Sequence, residues 1–377
     1  MAGTTLPTPM YSLYAQRFHF AVLTTTVIFA VYAGGVLFSL LCFGRWSDAV
    51  GRRPMLLAGV VLAVFSAAAF LTADGVPQLL VGRALSGLSA GIFTGTATAA
   101  IIEATPPNRR TRAAAIATVA NIGGLGFGPL LAGALVEYAP APLHLTFVVH
   151  IGLALVAGIA LSIVPETSGR SGQIGIQRLS VPPEVRGVFT VAALAGFCGF
   201  AVLGLFTAVA PSYVATFDIG NHAVAGLVVF SIFAASAAAQ IAATRIAPQR
   251  AVALGCATTV VGMIVLAATL MLSSLIGLVA AAVVCGAGQG ISFSRGLAAV
   301  AERTPADRRA EVTSTYFVVA YVAISLPVVG VGLAAGVWGL RAAGVSFTGA
   351  VAALASVCLA AIVVQNCGRT SLARATD

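Results

Sequence analysis

The sequence predicts an all-α membrane protein of eleven spanning helices, and three observations carry that expectation. Of the 377 residues 59% are hydrophobic and only 8% charged, with a mean hydropathy of +1.02, whereas soluble domains are roughly half apolar. The apolar residues gather into eleven runs, each near the ~20 residues that a helix needs to cross about 30 Å of hydrocarbon. The twenty basic residues are all arginine, and they cluster in alternate gaps between those runs.

In chain order the runs cover 20–43, 54–73, 78–102, 112–136, 143–164, 187–210, 221–244, 250–271, 274–300, 311–336 and 342–366. Sixteen of the twenty arginines fall on one side: Arg45, Arg52 and Arg53, then Arg109, Arg110 and Arg112, then Arg170, Arg178 and Arg186, then Arg245 and Arg250, then Arg303, Arg308 and Arg309, then Arg369 and Arg374. The other side carries only Arg17 and Arg341, and Arg83 and Arg295 lie inside runs. Basic loops stay cytoplasmic. A multi-pass protein of the cell inner (plasma) membrane is therefore expected, with a cytoplasmic C-terminus and, after eleven crossings, Met1 outside.

The same pattern excludes other classes. Short arginine clusters between apolar runs are not the basic face of a nucleic-acid binder, so the expected partner of the surface is the lipid bilayer. Cys42, Cys198, Cys256, Cys285, Cys358 and Cys367 stand singly without Cys-x-x-Cys pairs or neighbouring histidines, and neither a metal nor a cofactor is expected. No basic region precedes the first run, so no signal peptide is expected. Gly87-Leu88-Ser89-Ala90-Gly91 matches the Gly-x-Ser-x-Gly pattern of hydrolases, but it sits within a span instead of a strand-to-helix turn. With no zinc-protease or phosphate-loop pattern either, the chain is not read as an enzyme or an ATP-driven pump.

An internal repeat organises the runs. Glu103-Ala-Thr-Pro-Pro-Asn-Arg109-Arg110 matches Glu302-Arg-Thr-Pro-Ala-Asp-Arg308-Arg309 at an offset of 199 residues, and Gly87 and Gly91 match Gly286 and Gly290 in the same register. At a similar offset Pro9-Met10-Tyr11 corresponds to Pro211-Ser212-Tyr213, yet a full apolar run precedes Pro211 and only eight residues precede Pro9. The expected organisation is a bundle of five spans in 1–164, lacking its first helix, a Gly-, Ser- and Pro-rich linker at 165–186, and a six-helix bundle in 187–377. On this reading Met1 is not the start of the full functional protein.

Gly44-Arg45-Trp46-Ser47-Asp48-Ala49-Val50-Gly51-Arg52-Arg53 joins the first two spans and resembles the signature loop of the major facilitator superfamily, Gly-x-x-x-Asp-x-x-Gly-Arg-Arg/Lys. The resemblance implies that fold, two helical bundles of five and six transmembrane helices here, and a role for Asp48, with Gly44, Gly51, Arg52 and Arg53, as a conformational latch. Its implied partners are the helix beginning near Glu311 and one of Arg109, Arg110 or Arg112. Arg83-Ala-Leu-Ser-Gly87 resembles the Arg-x-x-x-Gly motif of the family's fourth helix, which implies a part in proton coupling; the competing reading is an arginine snorkelling to the interface. Gly87, Gly91 and Gly95 follow on one face. Gly124-Leu-Gly-Phe-Gly128-Pro129-Leu-Leu-Ala-Gly133 resembles the antiporter motif of the fifth helix, with a proline kink and close packing, and that motif implies export.

Polar residues inside the spans, Tyr32, Asn121, His150, Gln240, Gln289, Arg295, Tyr316 and Tyr321, are candidates for lining a cavity; each also fits an interhelical hydrogen bond. The eleven acids all fall in loops or at helix ends, which leaves His150 as the titratable candidate within a span. The function these features imply is a monomeric secondary transporter, exporting small lipophilic compounds in exchange for protons by alternating access. The alternatives are transport of another small solute such as a sugar or metabolite, or a truncated fragment without transport activity. A reporter active only in the cytoplasm should be active when fused after Asp377 and inactive when fused before Met1; the opposite pattern would overturn the topology.

Overall fold

The computed structural model describes residues 1–170 and 174–375, without the side chains of residues 110–111, 114–115, 306 and 365–375. Arg110, Arg369, Arg374 and part of the expected linker therefore lie outside the described side chains or residues. The helices are α1 (Ala2–Thr5), α2 (Tyr11–Phe18), α3 (Val22–Phe43), α4 (Trp46–Val50), α5 (Arg52–Leu71), α6 (Val76–Ile92), α7 (Thr98–Glu103), α8 (Arg110–Tyr138), α9 (Pro142–Ile163), α10 (Arg186–Thr216), α11 (His222–Ala242), α12 (Pro248–Leu272), α13 (Leu275–Arg303), α14 (Arg309–Trp338) and α15 (Leu340–Ala375). A single π turn, Phe93–Ala97, joins α6 to α7, so that Val76–Glu103 forms one span. Among the described residues eleven helical spans are long and apolar enough to cross a membrane, each within a few residues of its apolar run except where α10 continues past Ala210.

Helices form here because long runs of Ala, Leu, Val and Ile leave the backbone no partner but itself in hydrocarbon. Proline at the first turn starts α9 and α12, where its missing N–H costs nothing. Asn221 and Ser274 cap α11 and α13 by accepting from the Val224 and Gly277 amides at 3.0 and 3.2 Å. Three prolines, Pro129, Pro211 and Pro327, lie inside helices and each removes one intrahelical hydrogen bond.

Glycines set which helices touch. A Cβ built on Gly87 would collide with the Tyr32 carbonyl, and one on Gly91 with Ser39, so α6 lies directly on α3. In the second half the repeat partners do the same: Gly286 meets the Ile232 carbonyl and Gly290 the Ser236 carbonyl, which seats α13 on α11. The offset of 199 residues is thus a repeat of packing as well as of sequence. Between the halves, Gly133 of α8 lies against Ala223 and Gly226 of α11, and Gly332 of α14 lies against Leu23 and Thr26 of α3. Both approaches are at the arginine-poor end of the molecule.

Hydropathy passes over residues 2–18. They form α1, a 3-10 turn at Thr8–Met10 and α2, and Leu6, Met10, Tyr11 and Tyr14 are each no more than 2% exposed. The segment packs on α8 and α6, with Phe70, Leu79, Ala132 and Phe147 completing its core.

Gly34 and Gly35 are neighbours that separate packing from propensity. A Cβ on Gly35 would lie 2.7 Å from the Ala84 carbonyl oxygen, whereas Gly34 has nothing within 4 Å. Gly35→Ala should cost about 1–3 kcal/mol through overpacking, while Gly34→Ala should be neutral or stabilising by up to about 1 kcal/mol; thermal unfolding in detergent reads both.

Candidate functional site

Midway along the spans, side chains from the two halves meet. The Tyr321 hydroxyl of α14 lies against Thr94 and faces Tyr32 of α3. Thr94 belongs to the π turn and also donates to the Ala90 carbonyl at 2.8 Å; π turns inside helices recur at functional positions because they redirect side chains. On the other flank Tyr321 is 6.4 Å, centroid to centroid, from Phe200 of α10. Phe200 in turn is 5.0 Å from Phe293 of α13, which lies 5.9 Å from both Phe317 and Tyr316. The Tyr316 hydroxyl donates to the Ala192 carbonyl at 3.2 Å. A wall of aromatic faces with hydroxyl groups at its edge is an environment for a small apolar solute with a few polar atoms.

Arg83 is completely buried, which rules out snorkelling. Its guanidinium donates to the Thr4 carbonyl and to the Tyr11 hydroxyl, and its carbon lies 5.1, 5.8 and 5.9 Å from the ring centroids of Tyr11, Tyr32 and Phe70. Each face contributes cation–π attraction of ~2 kcal/mol when desolvated. The Nε finds no acceptor among the described residues. Two of these partners come from the N-terminal segment, whose helix breaks because Pro7 and Pro9 carry no N–H.

The same segment completes the antiporter-like helix. Pro129 cannot donate to the Leu125 carbonyl four residues earlier, and Thr5 Oγ1 donates to that carbonyl instead at 2.6 Å. Gly128 admits Ala2 and Thr5, and Gly124 admits Met1, while Gly126 faces Phe230 and Phe233 of α11, as Gly133 faces Ala223. The glycines of the motif thus serve two neighbours on different faces of α8.

At the arginine-rich end the Asp48 carboxylate pairs with Arg52 at 2.5 Å; among the described residues no ion pair joins it to α14, Arg109 or Arg112, and the side chain of Arg110 lies outside the description. Arg52 stands four residues on, in the first turn of α5, and also pairs with Glu103 at 2.8 Å, so the charges are satisfied within the first half. Its Nη1 additionally donates to Ser47 Oγ at 2.5 Å, and Arg53 donates to the Ser162 carbonyl. Gly44 has the Leu40 carbonyl beside it, and Gly51 takes φ +117°, a region open to glycine. The linker residue Glu166 accepts the free amides of Arg52 and Arg53 at 2.8 and 3.2 Å, capping α5. Thr167 donates to Glu103 at 3.1 Å, and Gln177 N–H donates to the Leu41 carbonyl at 2.7 Å, so this part of the linker is docked.

Other sequence candidates separate. Gln240 and Gln289 are buried and do not line the central layer: Ser236 Oγ donates to Gln289 Oε1 at 2.6 Å and accepts from Gln240 Nε2 at 3.2 Å, because α11 and α13 enclose all three. Asn121 lines a cleft of about 190 Å³ with Phe93, Ala97, Thr98 and Met1. His150 lies against Gly3. Arg295 is half-buried in α13 with its Nε unpartnered among the described residues. Thr94, Phe200, Phe293, Thr5, Ser236 and Glu166 were not legible as site residues, since apolar rings and single hydroxyls look the same in a span whether they pack or bind.

A polytopic fold whose halves repeat and meet at a central layer defines the class: a membrane transporter. The chain matches the Major Facilitator Superfamily over residues 1–328 and belongs to it. It is 30% identical over 260 residues to the multidrug transporter MdfA of Shigella boydii, covering 66% of this chain and 62% of that protein. It is 30% identical over 157 residues to the multidrug resistance protein MdtM of Salmonella typhimurium, covering 42% of this chain and 37% of that protein. The chain thus spans less than two thirds of the length of either. Among solved structures it is similar in fold to a mutant of the peptide transporter POT in complex with sulfate, with a TM-score of 0.76 at 18% identity over 98% of this chain and 92% of that one. A partially occluded inward open xylose transporter XylE from E. coli gives 0.71 at 15%, covering 94% of each chain.

Burial opposes ionisation of Glu166, but the backbone amides of Ser168, Arg52, Arg53 and Thr167 outweigh it and hold the carboxyl below its ordinary 4.5. A depressed folded-state pKa means that linker docking is stabilised above the unfolded value and loses that support as pH falls through the folded one. The protection of the 166–170 amides relative to their intrinsic exchange rate should therefore be constant above about pH 5 and fall below 4.5, whereas Glu166→Gln should remove that pH dependence of the protection.

Proposed function

We propose that the chain is a secondary active exporter of small lipophilic compounds, driven by proton exchange, in the inner (plasma) membrane. The halves 1–164 and 187–377 are the two bodies that rock about the central layer, with 165–186 as their linker and the arginine-rich end and C-terminus in the cytoplasm. On this reading the protein acts as a monomer. The observation that carries the reading is the contact of Tyr321 with Thr94 at mid-span, with Tyr32 nearby, flanked by Phe200 and Phe293. The multidrug names of the two curated relatives support the substrate class, and the Gly124–Gly133 motif supports export.

Proton coupling needs a titratable group within a span, and His150 is the candidate the sequence places there. His150 lies against Gly3, next in sequence to the Thr4 whose carbonyl holds Arg83. We assign the exchanged proton to His150, with Arg83 fixing the fold of the segment between them. Asp48, Arg52 and Glu103 tie the first-half loop together, so that it moves as one piece.

The test is export of a lipophilic fluorescent dye from proteoliposomes under an imposed proton gradient. The parent should export, a protonophore should stop it, and Phe200→Ala should weaken apparent dye affinity about tenfold. His150→Ala should abolish gradient-driven export while leaving downhill equilibration of the dye. Gradient-driven export by His150→Ala at the parent rate would overturn the assignment of the proton carrier.

A further inference from the structure

The two halves meet at the arginine-poor end through a polar contact. The His222 backbone N–H donates to Glu137 Oε2 at 2.8 Å, linking residues 85 positions apart. His222 is the first residue of α11, and the amides of a helix's first turn have no partner in their own helix. Asn221 satisfies the third of them, from Val224, and Glu137 reaches across from the other half for the first.

Glu137 stands in the last turn of α8. There the partial negative charge of its own helix end disfavours a carboxylate, while the N-terminus of α11 favours one. The side chain is therefore stabilised by docking and not by its own helix. The approach that allows this is steric: Cβ atoms are absent at Gly133 and Gly226, and a Cβ on Gly133 would lie 2.6 Å from the His222 carbonyl oxygen.

We propose that Glu137 is the latch of the arginine-poor gate: its carboxylate on the α11 N-terminus holds the halves together at that end, and breaking it is a step in opening. The proposal rests on the alternating-access reading for its role in transport, but not for its test. The conformational equilibrium can be read at Thr26, which is completely buried across the second gate contact, against Gly332.

Thr26→Cys would be introduced into the full chain, and its labelling by a charged thiol reagent measured in nanodiscs, where both faces are accessible, against the chain without it. A charge-assisted hydrogen bond lost at a partly buried site shifts a two-state equilibrium by about tenfold or more. Glu137→Ala should therefore raise the labelling rate about tenfold, and Glu137→Gln, which keeps an acceptor but loses the charge, should give a smaller rise. Unchanged labelling in both variants would overturn the latch, as would an equal rise with Glu184→Ala, an acid remote from the gate. Should Glu137→Ala fail to assemble, the Gln variant decides alone. Altered labelling in a chain that exports no dye would keep the latch and sink the exporter reading.

Discussion

The structure depends on how closely helix backbones can approach. In hydrocarbon there is no hydrophobic force between helices, because lipid tails are as apolar as leucine, so association rests on packing and on interhelical hydrogen bonds. Here the closest approaches are made where a side chain is missing. Gly87 and Gly91 let α6 reach the α3 backbone, Gly286 and Gly290 let α13 reach α11, Gly255 and Gly262 let α12 reach α13, and Gly133 with Gly226 joins the halves. These positions fix which helix lies beside which, and the polar residues find partners only after that choice has been made. Ser236, Gln240 and Gln289 close their hydrogen-bond chain because Gly290 has already brought α13 onto Ser236.

A second constraint follows from prolines in a medium without water. Each proline inside a helix frees a carbonyl that must be satisfied from within the protein. Pro129 frees the Leu125 carbonyl, and a hydroxyl 120 residues away in sequence, on Thr5, takes it. Pro7 and Pro9 break the helix that carries Thr5, and the same break presents the Thr4 carbonyl to Arg83. The kink in α8, the broken N-terminal segment and the buried arginine are therefore one arrangement. Removing Thr5 would leave a buried acceptor unpaired, at a cost of about 1–3 kcal/mol.

The spans were legible because length and hydropathy are properties of a contiguous stretch, and the eleven runs correspond to eleven helices among the described residues that are long and apolar enough to span. Gly87, Gly91, Gly128 and Gly133 were legible as packing positions, since their spacing puts them on helix faces, but their partners were not. Whether Gly128 meets another span or a short N-terminal helix depends on residues more than a hundred positions away. Residues 2–18 escaped because the segment is too short and too interrupted by proline for periodicity to register. The partner of Asp48 was not legible: the family resemblance points to the helix beginning near Glu311 and to Arg109, Arg110 or Arg112, while Arg52, four residues along and also held by Glu103, pairs with it in this structure.

The two ends of the molecule are held by different physics. The ion pairs of Arg52 with Asp48 and Glu103 and of Arg170 with Glu166 lie at the arginine-rich end and join first-half loops or the linker to themselves. Such pairs stiffen a body without tying it to its neighbour. At the arginine-poor end the halves are joined by glycine-mediated backbone contact at Gly133–Gly226 and Gly332–Thr26, which depends on close fit and falls away within an ångström or two of separation. On the proposed alternating-access reading, a rocking motion that keeps the charged network intact begins by parting those glycine contacts, to which the Glu137 carboxylate adds a directional bond. Sharp loss of contact on one face and preserved charge pairing on the other is what a two-body switch requires: two well-separated arrangements instead of a continuum between them.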